Sequence, residues 1–128
     1  MPVIAHGIDF VGCGRMADIW RRHGDRFLQR ILTPGEIEYA RRQRYPEQHV
    51  AGRFAAKEAI LKVLGTGWRT KISWKDMEIR NDTLGKPEVV LRGHCAEIAA
   101  GLGIARVLIS ISHTAEFALA SAIAVNDE

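Results

Sequence analysis

An acid and a base stand one helical turn apart in the middle of the chain, at Glu58 and Lys62. They belong to the run Arg53–Gly67, whose Ala, Leu, Lys and Glu residues favour a helix. Gly65 stands where a left-handed glycine commonly ends a helix. A carboxylate and an ammonium on one rigid face can hold a metal ion and a phosphate side by side. The same spacing occurs in ordinary surface ion pairs, so the pattern alone leaves both interpretations open.

A second acid, Asp9, interrupts the apolar segment Val3–Val11, which is rich in β-branched residues and is predicted to be a strand. A carboxylate buried in such a strand is costly unless it is paired or bound to a cation. The alternative is a solvated strand face, where polar residues are normal. Magnesium is typically held by one or two carboxylates, with waters and substrate phosphates as further ligands. Asp9, Glu58 and Lys62 therefore define a metal-dependent phosphate chemistry if the fold brings Asp9 to the helix.

Two further motifs allow more than one interpretation. The segment Gly65-Thr66-Gly67 can bring backbone amides close to a phosphate, or it simply ends a helix with a turn. It is not a P-loop, because no Gly-Lys-Ser/Thr sequence closes it. Ser112 and His113 end a predicted strand, but adjacent strand residues point to opposite faces and no nucleophile elbow surrounds the serine, which argues against a serine hydrolase. His113 is then either a phosphate contact or an ordinary strand-end histidine.

The charge of the chain is unevenly distributed. Eighteen lysines and arginines against fifteen acids give a net charge of +3. Residues 14–30 contain five arginines and two aspartates, so this segment alone carries an excess of positive charge. Such an excess on a helical segment indicates an acidic partner, which is either nucleic acid or an acidic protein, unless it is only a solvated face.

Length and composition place the chain among globular proteins. Its 128 residues fit one domain spanning residues 1–128, with 47% hydrophobic and 26% charged residues. No apolar run reaches the length of a membrane span. The first residues lack the pattern of a secretory signal, and Cys13 and Cys95 fit neither a disulfide framework nor a zinc site, so we expect a cytoplasmic protein with free thiols.

Periodicity and capping signals predict an α+β fold, with an antiparallel sheet packed against a long central helix. The predicted helices are about Met16–Leu32 with a break near His23-Gly24, Thr33–Arg44 from a capping box, Gln48–Leu64 and Gly93–Leu102. The predicted strands are Val3–Val11, Lys71–Arg80, Pro87–Leu91, Arg106–Ser112 and Glu116–Val125, the second and third joined as a hairpin by the turn at residues 81–85.

Five segments, in this order, resemble the holo-acyl-carrier-protein synthases, the family of short phosphopantetheinyl transferases. They are Gly7–Val11, Phe27–Thr33, Ala51–Ala59 with Lys62 and Gly65–Gly67, Gly85–Pro87, and Ile109–Thr114. The resemblance extends over roughly residues 3–125, and the central helix is its most specific part.

The resemblance implies a single-lobe phosphopantetheinyl transferase fold and a magnesium-dependent reaction that supports fatty acid biosynthesis. Such an enzyme moves 4'-phosphopantetheine from coenzyme A to a serine of apo acyl carrier protein and releases adenosine 3',5'-bisphosphate. By the resemblance, Asp9 and Glu58 bind the metal, Lys62 contacts the pyrophosphate, and Glu58 is the leading candidate for the general base. These three residues are therefore the expected catalytic set.

The resemblance also implies contacts to the nucleotide and to a protein partner. The residues expected around the nucleotide are Arg53, Lys62, Gly65, Thr66, Gly67, Lys86, Pro87, Ser112 and His113. Acyl carrier proteins are acidic, so the arginine-rich segment is expected to dock one through Arg15, Arg22, Arg26 and Arg30. The family resemblance further implies a homotrimer with active sites at subunit interfaces.

The alternative from a different class is a basic nucleic-acid-binding module without enzymatic activity. Such a module would carry aromatic residues among basic ones on an exposed sheet. The aromatic residues of this chain, including Trp68, Trp74, Tyr39 and Tyr45, fall mostly in positions typical of a core.

Overall fold

The computed structural model describes residues 2–65 and 72–127. In chain order, these residues form β1 (Val3–Gly12), α1 (Cys13–His23), α2 (Asp25–Ile31), α3 (Pro34–Arg41), α4 (Pro46–Leu64), a 3-10 turn (Trp74–Asp76), β2 (Met77–Asn81), β3 (Pro87–Leu91), α5 (Gly93–Gly101), β4 (Arg106–His113) and β5 (Phe117–Val125). The predicted α+β class, with an antiparallel sheet against a long central helix, is confirmed. No helix within the described residues has the length and apolarity needed to cross a membrane.

The core lies between α4 and a three-stranded antiparallel sheet in the order β1-β5-β4. The inward face of β5 consists of four fully buried alanines, Ala118, Ala120, Ala122 and Ala124. Their small side chains let the helix approach the sheet closely, and most of α4 is buried in turn. β2 and β3 form the predicted hairpin as a separate two-stranded antiparallel sheet.

The closest approach between β1 and α4 occurs at Gly7. A Cβ atom placed there would lie 2.4 Å from the carbonyl oxygen of Ala59 and 3.1 Å from Cβ of Lys62. Only glycine fits this contact. Because strand side chains alternate between faces, Asp9 lies on the same inward face of β1 as Gly7. The glycine therefore sets how close that carboxylate comes to the helix.

The outward face of the same sheet is apolar and exposed. Ile8 and Phe10, on either side of Asp9, point away from α4 and are 50% and 60% exposed. Phe10 stacks on Phe117 of β5 with 4.6 Å between ring centroids, and Leu119 extends the patch. β1 thus reverses the usual arrangement, since its acid faces inward and its large apolar side chains face outward.

Several predicted helix boundaries are shifted. α1 begins at Cys13 rather than Met16, since extended Gly12 is its N-cap and the amide of Cys13 is bound to the carbonyl of Glu116 at 2.8 Å. The predicted break at His23-Gly24 is confirmed, and Gly24 has a φ of +65°. α3 has the predicted capping box but ends at Arg41 rather than Arg44.

α4 begins two residues earlier than predicted, at Pro46 instead of Gln48. A proline disfavours the helical conformation in the residue before it, which separates α3 from α4 at Tyr45. The same proline suits the first helical position, where no amide donor is needed.

The strand predicted from Lys71 to Arg80 is wrong over its first half. Lys71 is outside the described residues, and Trp74–Asp76 forms a 3-10 turn before β2 begins at Met77. The hydroxyl of Ser73 accepts a hydrogen bond from the amide of Lys75, which favours the turn. The ring of Trp74 stacks on Phe54 at 5.1 Å, so the apolar periodicity reflected packing of a turn and not a strand.

A buried ion pair joins α3, α4 and β2. Lys57 is fully buried, and its Nζ donates to Oε1 of Glu36 at 2.6 Å and to the carbonyls of Ile31 and Trp74. The carboxylate of Glu36 also accepts the amide hydrogen of Ile79 at 2.9 Å. Hydrogen bonds to these two charged side chains therefore connect α2, α3, α4, the 3-10 turn and β2.

Candidate active site

β1 and α4 bring together the three residues of the predicted catalytic set. Nζ of Lys62 donates to the carbonyl of Ile8 at 2.7 Å and lies 3.3 Å from Oδ1 of Asp9. The side chain of Asp9 is 19% exposed and that of Lys62 is 54% exposed, so the group opens to solvent. Lys62 thus donates a hydrogen bond to β1, whereas a simple surface ion pair with Glu58 would need no contact with that strand.

Glu58 lies half-buried beside this pair. Burial raises its pKa, the negative charge of Asp9 raises it further, and Lys62 lowers it in part. The two carboxylates therefore repel each other across the junction of β1 and α4, and one ammonium does not fully compensate them. A cation bound between them would relieve this repulsion.

The donor set fits a hard divalent cation that keeps open positions. Across the described residues there is no cluster of three or more histidine, cysteine, aspartate or glutamate ligands. Asp9 and Glu58 would therefore supply two carboxylates, and waters or phosphate oxygens would supply the rest. This pattern is typical of magnesium rather than of a closed zinc site.

A second group of predicted residues surrounds a pocket of about 160 Å³ on another side of α4, here called the Arg53 pocket. Three of its lining residues were predicted from the sequence, namely Arg53, Pro87 and His113. The others are Tyr39, His49, Gly52, Asn81, Gly85 and Ile111. Its walls come from α3, α4, β4 and the β2–β3 hairpin, which no single sequence motif connects.

Arg53 is 4% exposed and is held in place by three groups. Its Nη2 donates to the side-chain oxygen of Asn81 and to the carbonyl of Ile79, and its guanidinium lies 4.3 Å from the ring centroid of Tyr39. Burial lowers the pKa of Arg53, although a guanidinium stays charged in proteins. Its buried Nε has no hydrogen-bond partner among the described residues, so one donor of this guanidinium is left unsatisfied.

Two histidines meet at the mouth of the Arg53 pocket. The rings of His49 and His113 are 4.8 Å apart in an edge contact, and Nδ1 of His113 is 2.9 Å from Oε1 of Gln48. Burial lowers the pKa of His49, and the nearby charges of His113 and Arg53 lower it further. The pocket therefore contains one more histidine than the sequence indicated, and burial and the neighbouring groups disfavour its protonation.

The remaining nucleotide candidates are dispersed. Lys86 is exposed in the hairpin turn and borders a larger cleft of about 820 Å³ between β3, α5 and β4. Ser112 is exposed on the outward sheet face, opposite Leu119 of β5, and so points away from His113. Gly65 ends α4 with a φ of +73°, as predicted. Thr66 and Gly67 are outside the described residues.

The four arginines predicted to dock a partner are all exposed on α1 and α2. They are Arg15, Arg22, Arg26 and Arg30. None of them forms an ion pair within residues 2–65 and 72–127. Arg21 and Arg41, by contrast, are paired with Asp18 and Asp25. The unpaired arginines thus present positive charge that the described part of the protomer does not neutralise.

The carboxylate cluster and the Arg53 pocket face different directions. Glu58 lies five positions after Arg53 on α4, which places the two about 140° apart around the helix axis. Asp9 lies on β1 and His113 on β4, which are the two outer strands of the sheet. A ligand that touches both groups in one protomer would have to pass around the helix.

Sequence reasoning missed Tyr39, His49 and Asn81 in the pocket. His49 and Arg53 are four residues apart on α4, so the helical spacing did place them on one face. Tyr39 and Asn81 come from elements whose approach to α4 depends on the turns at Tyr45 and Trp74. No local sequence pattern indicates that packing.

The chain is similar to known proteins over almost its whole length. Residues 5–120 match the family model of the 4'-phosphopantetheinyl transferase superfamily. The holo-[acyl-carrier-protein] synthase of Koribacter versatilis is 44% identical over 121 residues, which are 94% of this chain and 97% of that protein.

Solved structures agree with this similarity. The crystal structure of holo-[acyl-carrier-protein] synthase from Neisseria meningitidis matches with a TM-score of 0.88 at 34% identity, covering 98% of this chain and 100% of that one. The Helicobacter pylori holo-[acyl-carrier-protein] synthase, solved in complex with coenzyme A, matches with a TM-score of 0.83 at 31% identity, covering 94% of this chain and 100% of that one.

Proposed function

The chain belongs to the 4'-phosphopantetheinyl transferase superfamily, and we propose that it transfers 4'-phosphopantetheine from coenzyme A to a serine of apo acyl carrier protein. The observation that carries this proposal is the cluster of Asp9, Glu58 and Lys62, formed where Gly7 lets β1 touch α4. Two repelling carboxylates beside a half-exposed ammonium suit a pyrophosphate with its metal. The reaction would supply carrier protein for fatty acid biosynthesis in the cytoplasm.

The transfer exchanges one phosphorus–oxygen bond for another. The serine oxygen forms a bond to the β-phosphorus of coenzyme A, and the bond from that phosphorus to the bridging oxygen breaks. The electron pair leaves with adenosine 3',5'-bisphosphate, so negative charge grows on the bridging oxygen. Lys62 is placed to stabilise this charge and to hold the pyrophosphate in line.

The serine must also lose its proton. Glu58, with its raised pKa, is the proposed base, acting directly or through a water molecule. Magnesium held by Asp9 and Glu58 would neutralise charge on the pyrophosphate oxygens. Ile8 fixes Lys62 through its carbonyl, so the ammonium is oriented before the substrate arrives.

The nucleotide end of coenzyme A is proposed to contact the second group of residues. Arg53 offers positive charge and His113 a ring nitrogen at the Arg53 pocket, which Pro87 borders from the hairpin, while Lys86 borders the neighbouring larger cleft. We include Ser112 and the Gly65–Gly67 turn among the nucleotide contacts implied by the sequence resemblance.

We propose the homotrimer with active sites at subunit interfaces that the resemblance implies. Its first support is that the carboxylate cluster and the Arg53 pocket face away from each other, so neighbouring copies can contribute one group each. Its second support is the exposed apolar sheet face around Ile8, Phe10 and Phe117, which suits contact with another copy. Light scattering of the purified protein would test the assembly.

Docking of the carrier protein is proposed at the unpaired arginines of α1 and α2. Acyl carrier proteins are acidic, and long-range attraction to a basic surface steers such partners into contact. The alternative of a nucleic-acid-binding module is not supported by the sequence similarity. The exposed sheet face also lacks its pattern, since Phe10 and Phe117 stand among Ile8 and Leu119 rather than among basic residues.

A transfer assay tests the proposed function. The protein is incubated with coenzyme A, Mg²⁺ and an apo acyl carrier protein, and the carrier is weighed by intact-mass spectrometry. We expect a mass gain of one phosphopantetheine, which chelation by EDTA and replacement of the acceptor serine by alanine both abolish. An unmodified carrier, with a second carrier of different origin also unmodified, would contradict the proposal.

A further inference from the structure

His49 has no part in the reaction as described, yet it lies at the mouth of the Arg53 pocket. Its ring contacts two others at the edge, with centroids 4.8 Å from His113 and 5.6 Å from Tyr39. It is half-buried and stands one helical turn before Arg53 on α4. The ring of His49 is therefore packed against two other elements, α3 and β4.

The groups around this pocket favour an anion. Among its described lining residues there is an arginine, two histidines, a tyrosine and an asparagine, and there is no carboxylate. The buried Nε of Arg53 has no partner within the described chain. The pocket volume of about 160 Å³ is large enough for a phosphate group.

The titratable groups around His49 come from three elements. His113 faces it from β4, Arg53 and Glu47 belong to its own helix, and Tyr39 faces it from α3. Burial lowers the pKa of His49, and His113 and Arg53 lower it further, while Glu47 acts in the opposite direction. In the free pocket, a second positive charge next to Arg53 is therefore disfavoured.

We propose that His49 makes the binding of coenzyme A proton-linked, by pairing as a cation with the terminal phosphomonoester of coenzyme A held in the Arg53 pocket. The proposal rests on the proposed function, because coenzyme A must first be the substrate. A phosphate dianion between Arg53 and His49 replaces the repulsion of the free pocket by attraction, so His49 takes up a proton when the ligand binds.

The chemistry of coenzyme A assigns its groups to the two sites. Its pyrophosphate has to lie beside Lys62 and the two carboxylates for transfer to occur, which leaves its 3'-phosphomonoester for the Arg53 pocket of a neighbouring copy in the proposed trimer, because the two groups of one protomer face different directions. Dephospho-coenzyme A has the same pyrophosphate and pantetheine but lacks this phosphomonoester. It is thus a matched ligand that removes only the group with which His49 is proposed to pair.

Isothermal titration calorimetry of the intact protein measures the linkage directly. Coenzyme A and dephospho-coenzyme A are titrated at constant Mg²⁺ in two buffers with different ionisation enthalpies, and the difference in heat gives the number of protons exchanged. The titrations are made between about pH 7 and 8, because the second pKa of a phosphomonoester is about 6 and its own protonation would otherwise intervene.

For coenzyme A we expect uptake of roughly half a proton near neutral pH, which corresponds to about a threefold loss of affinity per pH unit. For dephospho-coenzyme A we expect no measurable uptake and little change with pH. Equal proton uptake for both ligands would overturn the proposal, because the exchange would then come from the pyrophosphate site. No uptake for either ligand would overturn it as well.

Variants assign the proton to a residue. His49→Gln should remove the proton uptake and with it the pH dependence of the affinity, while His94→Gln on α5 should leave both unchanged. If the uptake persists in His49→Gln and disappears in His113→Gln, the assignment to His49 is wrong. If His49→Gln does not fold, the comparison of the two ligands with the unaltered protein still decides whether the phosphomonoester is proton-linked.

The result is separable from the proposed function. A protein that transfers phosphopantetheine but shows no proton uptake disproves the role of His49 alone. A protein that binds neither coenzyme A nor dephospho-coenzyme A disproves the proposed function itself.

Discussion

Lys57 and Glu58 are neighbours on α4, but the fold treats their charges in opposite ways. Lys57 is fully buried and donates to three acceptors, one of them the carboxylate of Glu36. Glu58 is half-buried and faces a second carboxylate, Asp9, with partial compensation from Lys62. The charge of Lys57 is satisfied within the protomer. The charge of Glu58 is only partly compensated, and a bound cation would stabilise it.

The difference separates structural charges from functional ones. Burying a charge is tolerated when hydrogen bonds and a counter-charge replace its water, as they do for Lys57. A carboxylate pair that raises the pKa of one member has no such structural benefit, and perturbed groups of this kind concentrate at functional sites. Sequence position alone does not distinguish the two, because both residues belong to the same helix and the same sequence motif, and the difference lies in the groups around each charge.

The largest effect is expected where the satisfied charge is removed. Lys57→Met should lower the free energy of unfolding by about 3–5 kcal/mol, because Glu36 would stay buried without its counter-charge. Urea denaturation followed by circular dichroism measures this loss. Lys75→Met, on the exposed 3-10 turn, is the control and should change stability by less than about 0.5 kcal/mol. A loss below about 1 kcal/mol for Lys57→Met would show that the buried pair is not the structural centre that its hydrogen bonds indicate.

The opposite result is expected at the neighbouring position. Glu58→Gln should reduce transfer about a hundredfold or more, since it removes a metal ligand and the proposed base. It should also raise the melting temperature by a few degrees near neutral pH. The folded pKa of Glu58 lies above its unfolded value, so its ionised form costs stability once the pH exceeds the folded pKa.

The pH dependence checks the sign of this effect. Below the unfolded pKa of glutamate, about 4.3, Glu58 is protonated in both states and the advantage of Glu58→Gln should disappear. Differential scanning fluorimetry with and without Mg²⁺ tests Glu58 as a metal ligand. The ion should raise the melting temperature of the unaltered protein and not that of the variant. Glu97→Gln on α5 serves as the control for activity. A variant that keeps full transfer would refute the role of Glu58.

Much of the functional arrangement was predictable, because it depends on local patterns. The capping box at Thr33, the end of α4 at Gly65 and the alternation in β4 each follow from a few residues. The sequence predicted a metal site at Asp9 and Glu58 only on the condition that the fold brings Asp9 to the central helix. Gly7 was quoted as part of a motif, but the contact with Ala59 that makes glycine necessary is visible only in the structure.

The rest depended on packing between distant elements. The sequence does not indicate that Lys57 is buried, because a lysine on a helix is usually exposed. The 3-10 turn at Trp74 was read as a strand, because a side chain that packs on Phe54 gives the same apolar signal in either structure. The Arg53 pocket combines four elements, so its full lining was beyond local reasoning.

The smallest effect of the three substitutions is expected at the exposed arginines of α1 and α2, because solvent weakens the interactions of their charges. Arg22→Glu combined with Arg26→Glu should raise the KM for acyl carrier protein about tenfold while leaving the KM for coenzyme A nearly unchanged, because steering acts on the charged protein partner. Steady-state kinetics with each substrate varied in turn measures both values. Added salt should also raise the KM of the unaltered enzyme for acyl carrier protein, since salt screens the electrostatic steering.

A control with the same change of charge decides whether position or net charge matters. Lys75→Glu combined with Arg106→Glu alters the charge equally but on the 3-10 turn and on β4, away from α1 and α2. Long-range attraction by the whole molecule would raise the KM for the carrier in both double variants alike. A docking surface on α1 and α2 requires the larger increase for Arg22→Glu with Arg26→Glu, and equal increases would leave these arginines as a solvated helix face.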